Sequence, residues 1–181
     1  MGKAPEDLLR DSRRGKEAPF VRLFDDHHLP LFRFAWRLTG SMADAEDIVQ
    51  ECFLGLLRAE CGFDPARTAI RTYLFGAVRN QALKRLRRRE QGEAAEGVEH
   101  RTPETEALRG EMAGAVGNAI AGLPETQREV LLLAHYEQLS LEEIAEITEL
   151  EVTAVKSRLQ RARATLREVL AAYAPETERT I

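Results

Sequence analysis

The chain is poor in the residues that disulfide, metal and membrane proteins depend on. Its 181 residues include two cysteines, four histidines and one tryptophan, and aromatics make up 6%. Cys52 and Cys61 have neither metal-ligand spacing nor a histidine partner pattern, so they read as inert thiols in a reducing compartment. His27 and His28 stand before Pro30 without cysteines or acids at ligand spacing, and read as surface or packing residues. No apolar run approaches the ~20 residues that span a bilayer. Met1–Arg14 is charged and lacks the apolar core of a signal peptide. The chain is therefore expected to be cytoplasmic, without membrane insertion. No nucleophile–base pattern, P-loop or glycine-rich cofactor loop occurs, so no enzyme, cofactor or metal is expected.

What is present is helix-forming and unevenly charged. Hydrophobic residues make up 44% of the chain and charged residues 31%, with a net charge of −4. That average hides two blocks without a single acid. One runs from Arg67 to Arg89 and holds Arg67, Arg71, Arg79, Lys84, Arg85, Arg87, Arg88 and Arg89. The other runs from Val152 to Arg167 and holds Lys156, Arg158, Arg161, Arg163 and Arg167. Two basic patches on an acidic body imply local anion binding.

Apolar periodicity predicts helices throughout and no strand. Residues 1–16 read as a polar tail. Phe20, Leu23, Phe24, Leu31, Phe34, Ala35 and Leu38 recur at helical spacing, with Pro30 either kinking a helix or sitting in the first turn of one. Thr39-Gly40-Ser41 is a stop followed by a cap, with Ser41 or Asp44 opening the next helix. That helix carries Ala45, Ile48, Val49, Cys52, Phe53, Leu56 and Leu57 on one face and Asp44, Glu46, Asp47, Gln50 and Glu51 on the other. Carboxylates projecting from one helix without a closing loop make a poor metal cage, so the acidic face reads as a docking surface. Cys61–Thr68 is a loop, and a third helix runs from about Ala69 to Glu90. Residues 91–107, rich in Glu, Gly and Ala, form a flexible acidic linker. The fold class is all-α, with one small helical domain at 17–90, a second at 108–173 and a polar tail at 174–181.

The second domain contains the clearest motif. Ser140 and Glu143 make a capping box ahead of an apolar run. Leu141, Ile144, Ala145 and Thr148 form one face of a short helix, and Glu149–Val152 breaks it. The next helix is expected to bury Val155, Leu159, Ala162 and Leu166 and so to show Thr153, Lys156, Ser157 and Gln160. This is a helix-turn-helix with short polar side chains at the start of the second helix, the part that enters a major groove. Lys156 and Gln160 suit base edges, while Arg158, Arg161 and Arg163 suit phosphates.

Taken with the acidic helix DAEDIVQECFLGLL and the FDPART loop, the basic helix IRTYLFGAVRNQALKRLRRR (Ile70–Arg89) resembles the second conserved region of bacterial sigma factors. The stretch LPETQREVLLLAHYEQLSLEEIAEITELEVTAVKSRLQRARATL resembles their fourth. The two in this order, joined only by a linker, look like the reduced layout of the extracytoplasmic-function sigma family. The resemblance covers about Phe20–Arg89 and Leu108–Ala171. It implies that Asp44, Glu46, Asp47, Gln50 and Glu51 dock on the β′ clamp helices of core RNA polymerase, with the β flap as a further contact. It also implies that Arg67, Arg71, Tyr73, Arg79, Asn80, Lys84, Arg87 and Arg88 serve the downstream (−10) promoter element and its melting. Thr153, Lys156, Ser157, Arg158, Gln160, Arg161 and Arg163 would serve the upstream (−35) element, and an anti-sigma factor is an implied partner. A basic groove with Tyr73 and Phe75 nearby suits capture of an unstacked strand. The chain departs from the family at Tyr73, which stands where tryptophan is usual. At Glu149 glycine is common, and the turn there is expected to need φ > 0. Glu151 and Thr153 replace smaller residues.

Three rival functions fit parts of the pattern. A one-component repressor or activator would bind duplex DNA without polymerase. A nucleic-acid-processing enzyme would use the acidic cluster with metal. A polymerase decoy would bind core and initiate nothing.

Overall fold

The computed structural model describes residues 4–58, 62–92 and 110–171, and the side chains among these except those of 110–113. The expected linker 91–107, apart from Gln91 and Gly92, the tail 174–181, and Cys61 lie outside the described residues. The described residues are helical, without a strand, and fall into two compact units.

The first unit holds α1 (Pro5–Arg13), α2 (Glu17–Thr39), α3 (Met42–Arg58) and α4 (Ile70–Glu90). α1 corrects the reading of residues 1–16 as a tail. Pro5 stands at the helix start, Glu6 and Asp7 lie in the first turn and Arg10 and Arg13 in the last, each favourable with the helix dipole. Leu8 and Leu9 are buried, and α1 packs on α2 and α3. Two adjacent leucines give no helical period, so the segment looked polar.

α2 runs through Pro30, which is inside the helix. It ends at Gly40, whose φ of 73° closes the helix through its N–H on the Trp36 carbonyl at 2.7 Å. Ser41 then caps α3, its Oγ accepting from the Asp44 N–H at 3.2 Å. The core is the meeting of three apolar stripes: Leu23, Leu31, Phe34 and Leu38 of α2, Ile48, Phe53 and Leu56 of α3, and Leu74, Phe75 and Val78 of α4. Cys52 faces this core. Burial, helped by the charge of Glu51, pushes its thiol up to about 12, so thiolate is scarce at neutral pH. His28 is a packing residue, stacked on Phe24 at 4.6 Å with Nδ1 at 3.2 Å from the Phe24 carbonyl.

The second unit holds α5 (Gly110–Ala121), α6 (Glu125–His135), α7 (Leu141–Thr148) and α8 (Val152–Leu170). α8 packs on α5 and α6 through Val155, Leu159 and Ala162. Leu166, expected in the core, is only half-buried. α8 has 19 residues against the 11 of α6, so its C-terminal part outruns its partner. On α7, Ile144 and Thr148 are buried as expected, Leu141 and Ala145 are half-buried, and Ile147 joins them as a third buried residue. Among the described residues no helix is long and apolar enough to cross a membrane.

Candidate nucleic-acid interface and docking face

The turn that aims α8 is built from backbone bonds. The capping box forms in both directions: the Ser140 N–H donates to Glu143 Oε2 at 2.8 Å, and the Glu143 N–H to Ser140 Oγ at 3.1 Å. At the other end of α7, Glu149 takes φ 57°. The Leu150 N–H reaches the Ala145 carbonyl at 3.0 Å and the Glu149 N–H reaches that of Glu146 at 3.4 Å. This is the Schellman pattern with a glutamate in the left-handed place that glycine usually takes.

The seven upstream-element candidates divide by face. Around the α8 wheel, Thr153, Lys156, Ser157 and Gln160 lie within about 100° of one another, opposite Val155, Leu159 and Ala162. Thr153, Lys156 and Gln160 are exposed and Ser157 is half-buried. Glu151 makes no side-chain cap on α8, although its carbonyl accepts from the Ala154 N–H at 2.9 Å. The three arginines are less available than the sequence implied. Arg158 Nη1 is bound to Glu129 Oε1 at 3.2 Å. Both Nε and Nη2 of Arg163 lie against His135 Nε2, at 3.3 and 3.2 Å. Arg161 Nη2 donates to Ser157 Oγ at 2.9 Å while the side chain stays exposed.

α4 shows a similar division. Tyr73, Asn80, Lys84 and Arg87 lie within about 60° on its wheel, with Arg88 beside them. Asn80, Lys84, Arg87 and Arg88 are exposed. Arg79 Nη1 donates to Asn80 Oδ1 at 3.2 Å. Arg71 turns towards the core side, its guanidinium 5.7 Å from the centre of the Phe75 ring. Phe75 is itself buried, with its ring edge-on to Phe34 at 5.6 Å, which removes it as a stacking surface for a base. Tyr73 is half-buried and its ring meets Phe63 of the preceding loop at 5.1 Å. That loop is set by Asp64, whose Oδ1 accepts from the Ala66 N–H at 2.9 Å and whose carbonyl accepts from the N–H of Arg67 at 3.1 Å. Arg67 is exposed on it.

The acidic face of α3 is not bare. Arg85 Nη1 donates to Asp44 Oδ1 at 3.0 Å and Asp47 Oδ2 at 3.3 Å, and Nη2 to Glu51 Oε1 at 3.2 Å. Arg89 also pairs with Asp44, and its Nη1 donates to the Thr39 carbonyl at 3.1 Å, at the end of α2. Burial opposes the charge of Arg85, but the bonds to Asp44 and Asp47 and the nearby carboxylates outweigh it and raise its pKa. Glu46 and Gln50 are exposed. The basic run therefore has two faces: Lys84, Arg87 and Arg88 turn outwards, and Arg85 and Arg89, one helical turn apart, turn to α3. The sequence signal was available in the Arg85/Arg89 spacing of four matched to acids at 44, 47 and 51.

This geometry has close relatives. Residues 23–91 match the family model for Sigma-70 region 2, and residues 113–166 match that for Sigma-70, region 4. The ECF RNA polymerase sigma factor RpoE of Cereibacter sphaeroides is 31% identical over 165 residues, covering 88% of this chain and 90% of its own. The chain belongs to the extracytoplasmic-function family of RNA polymerase sigma factors. Two solved structures resemble this sigma factor along most of its length. CnrH, solved in complex with the cytosolic domain of CnrY, superposes with a TM-score of 0.73 at 26% identity, over 95% of this chain and all of that one. The sigma factor RpoE from Bartonella quintana, solved with the anti-sigma factor NepR, gives 0.69 at 25% identity, over 84% of this chain and 96% of that one.

Proposed function

We propose that this sigma factor directs core RNA polymerase to promoters by a two-point grip, and that its surfaces divide the work as follows. Glu46, Asp47, Gln50 and Glu51, with Asp44 at the edge, dock on the β′ clamp helices. Tyr73, Asn80, Lys84, Arg87 and Arg88, with Arg67 on the loop, take the downstream element as it melts. Thr153, Lys156, Ser157 and Gln160 read the upstream element, with Arg161 on phosphate, and the β flap meets the second unit. Arg71, Arg79, Arg158 and Arg163 act at one remove, by holding neighbouring groups. The factor itself performs no covalent chemistry and works in the cytoplasm. An anti-sigma factor holds it when it is not needed, a role supported by RpoE of Bartonella quintana, which was solved in such a complex.

The exposed polar row on α8, set opposite a buried apolar stripe, carries this reading. Run-off transcription with core polymerase tests it. Lys156→Ala with Gln160→Ala should relax upstream selectivity by about 1–3 kcal/mol per lost base contact, while uniform weakening on all sequences would mean phosphate contact alone. Sequence-specific duplex binding without polymerase would favour a one-component regulator. Core binding without initiation would favour a decoy.

A further inference from the structure

One guanidinium reaches three carboxylates on the face read above as the docking surface, and the inference drawn from it rests on that reading. Asp44, Asp47 and Glu51 stand at i, i+3 and i+7, one stripe of α3. The Arg85 side chain is only 24% exposed, whereas those of Asp47 and Glu51 are 63% and 52% exposed. The arginine thus lies on the inner side of the stripe. It takes Asp47 Oδ2 and Glu51 Oε1 and leaves Asp47 Oδ1 and Glu51 Oε2 for an incoming donor. An ionised carboxylate has acceptor sites enough for both. Arg89 anchors the same assembly from below, through Asp44 and the Thr39 carbonyl.

We propose that Arg85 is a positioning residue for polymerase docking: its fork fixes the carboxylates of Asp44, Asp47 and Glu51 in their docking rotamers before the partner arrives. Two effects of opposite sign are at stake. Arg85 and Arg89 against three carboxylates leave the cluster with one net negative charge, so Arg85 weakens attraction to a basic partner. The same contacts remove rotamer freedom that binding would otherwise have to remove, which strengthens it. Across the two aspartates and Glu51 the ordering effect exceeds the loss of one partly screened charge.

The test is core-polymerase binding kinetics with full-length Arg85→Ala and Arg85→Lys. Arg85→Ala should bind roughly ten-fold more weakly, mainly through faster dissociation. Arg85→Lys should fall between it and the parent although the charge is kept, because an ammonium does not reproduce the planar fork. Equal or tighter binding by Arg85→Ala would overturn the proposal and make Arg85 an internal competitor. Parent-like binding by Arg85→Lys would reduce its role to charge and overturn it equally. A folding defect lowers the active fraction but not the dissociation rate of the complexes that form. If Arg85→Ala loses its helical circular dichroism, Arg85→Gln carries the same measurement. The double reversal Asp47→Lys with Glu51→Lys separates the two levels. No effect on core affinity from the reversal would sink the docking reading itself. A large effect there with none from Arg85→Ala would sink only the positioning role.

Discussion

Arg158 Nη1 donates to Glu129 Oε1 at 3.2 Å, and the carboxylate it meets is 1% exposed. The pair ties α8, which carries the upstream-reading row, to α6. A buried carboxylate needs such a partner, and Glu129 has at least one further interaction. Arg158→Ala should therefore cost about 1–3 kcal/mol of stability, less than the ~3–5 kcal/mol of a fully uncompensated buried charge. Promoter binding separates brace from phosphate contact. Loss of a phosphate contact reduces the slope of log affinity against log salt by about one unit. Loss of a brace lowers affinity with the slope unchanged, and that is the expected result.

The turn before α8 holds Glu149 at φ 57°, a conformation that costs an L-residue about 1–2 kcal/mol. Glu149→Gly removes that strain but adds unfolded-state freedom worth roughly 0.5–1 kcal/mol, so a gain of about 0–1.5 kcal/mol is expected. Glu149→Val puts a β-branched side chain where such residues are outliers and should be the least stable of the three. Thermal unfolding should rank them Gly above Glu above Val. A valine variant as stable as the parent would mean that the turn relaxes to another backbone conformation.

Glu149 also shows what could be read before the fold was known. Its left-handed conformation was an expectation of the family resemblance, which puts glycine there, whereas the Ser140/Glu143 capping box, the Gly40 stop and the Val155/Leu159/Ala162 stripe are local, and each follows from residue type at fixed spacing. While the α4 residues came from the family resemblance, the α8 row was legible for the same reason, since a wheel needs only the sequence. Partners chosen across tens of residues were not. Arg85 read only as part of a basic block, although its spacing to Arg89 could be matched to the acids of α3, and Arg158 read as a phosphate contact because nothing local says that Glu129 will face it. Phe75 looked available to a base because its burial depends on where Phe34 of α2 lands. Leu8 and Leu9 escaped notice because their burial comes from packing of α1 on α2 and α3.

His27 gives the first unit a pH dependence. Burial lowers its pKa from the ordinary 6.5, and nearby Arg71 adds to this while Asp26 opposes it. The unfolded chain therefore takes up a proton before the folded chain does. Stability is full above about 6.5, falls as the pH drops below it, and the loss is complete once the folded imidazole is itself protonated. His27→Gln should flatten that part of a stability–pH curve measured by urea unfolding. An unchanged slope between the parent and His27→Gln would assign the titration to another group.

Arg13 links α1 to the C-terminal end of α3. Its Nε and Nη2 both donate to the Leu56 carbonyl, at 3.0 and 2.9 Å, in the last turn of α3 (Met42–Arg58). Two charge-assisted bonds on a helix C-terminus combine a hydrogen-bond gain with a favourable dipole interaction. Arg13→Ala should lower stability by about 1–2 kcal/mol. Arg13→Lys should recover part of this, because a single ammonium still meets the negative helix end without the fork. Removal of residues 1–14 takes away Leu8 and Leu9 as well and exposes their site on α2 and α3. It should destabilise the first unit by several kcal/mol, at about 1.5–3 kcal/mol per buried leucine. If urea unfolding showed the truncated protein as stable as the parent, α1 would be an appendage, and the buried leucines would contribute nothing to the unit that carries the docking face.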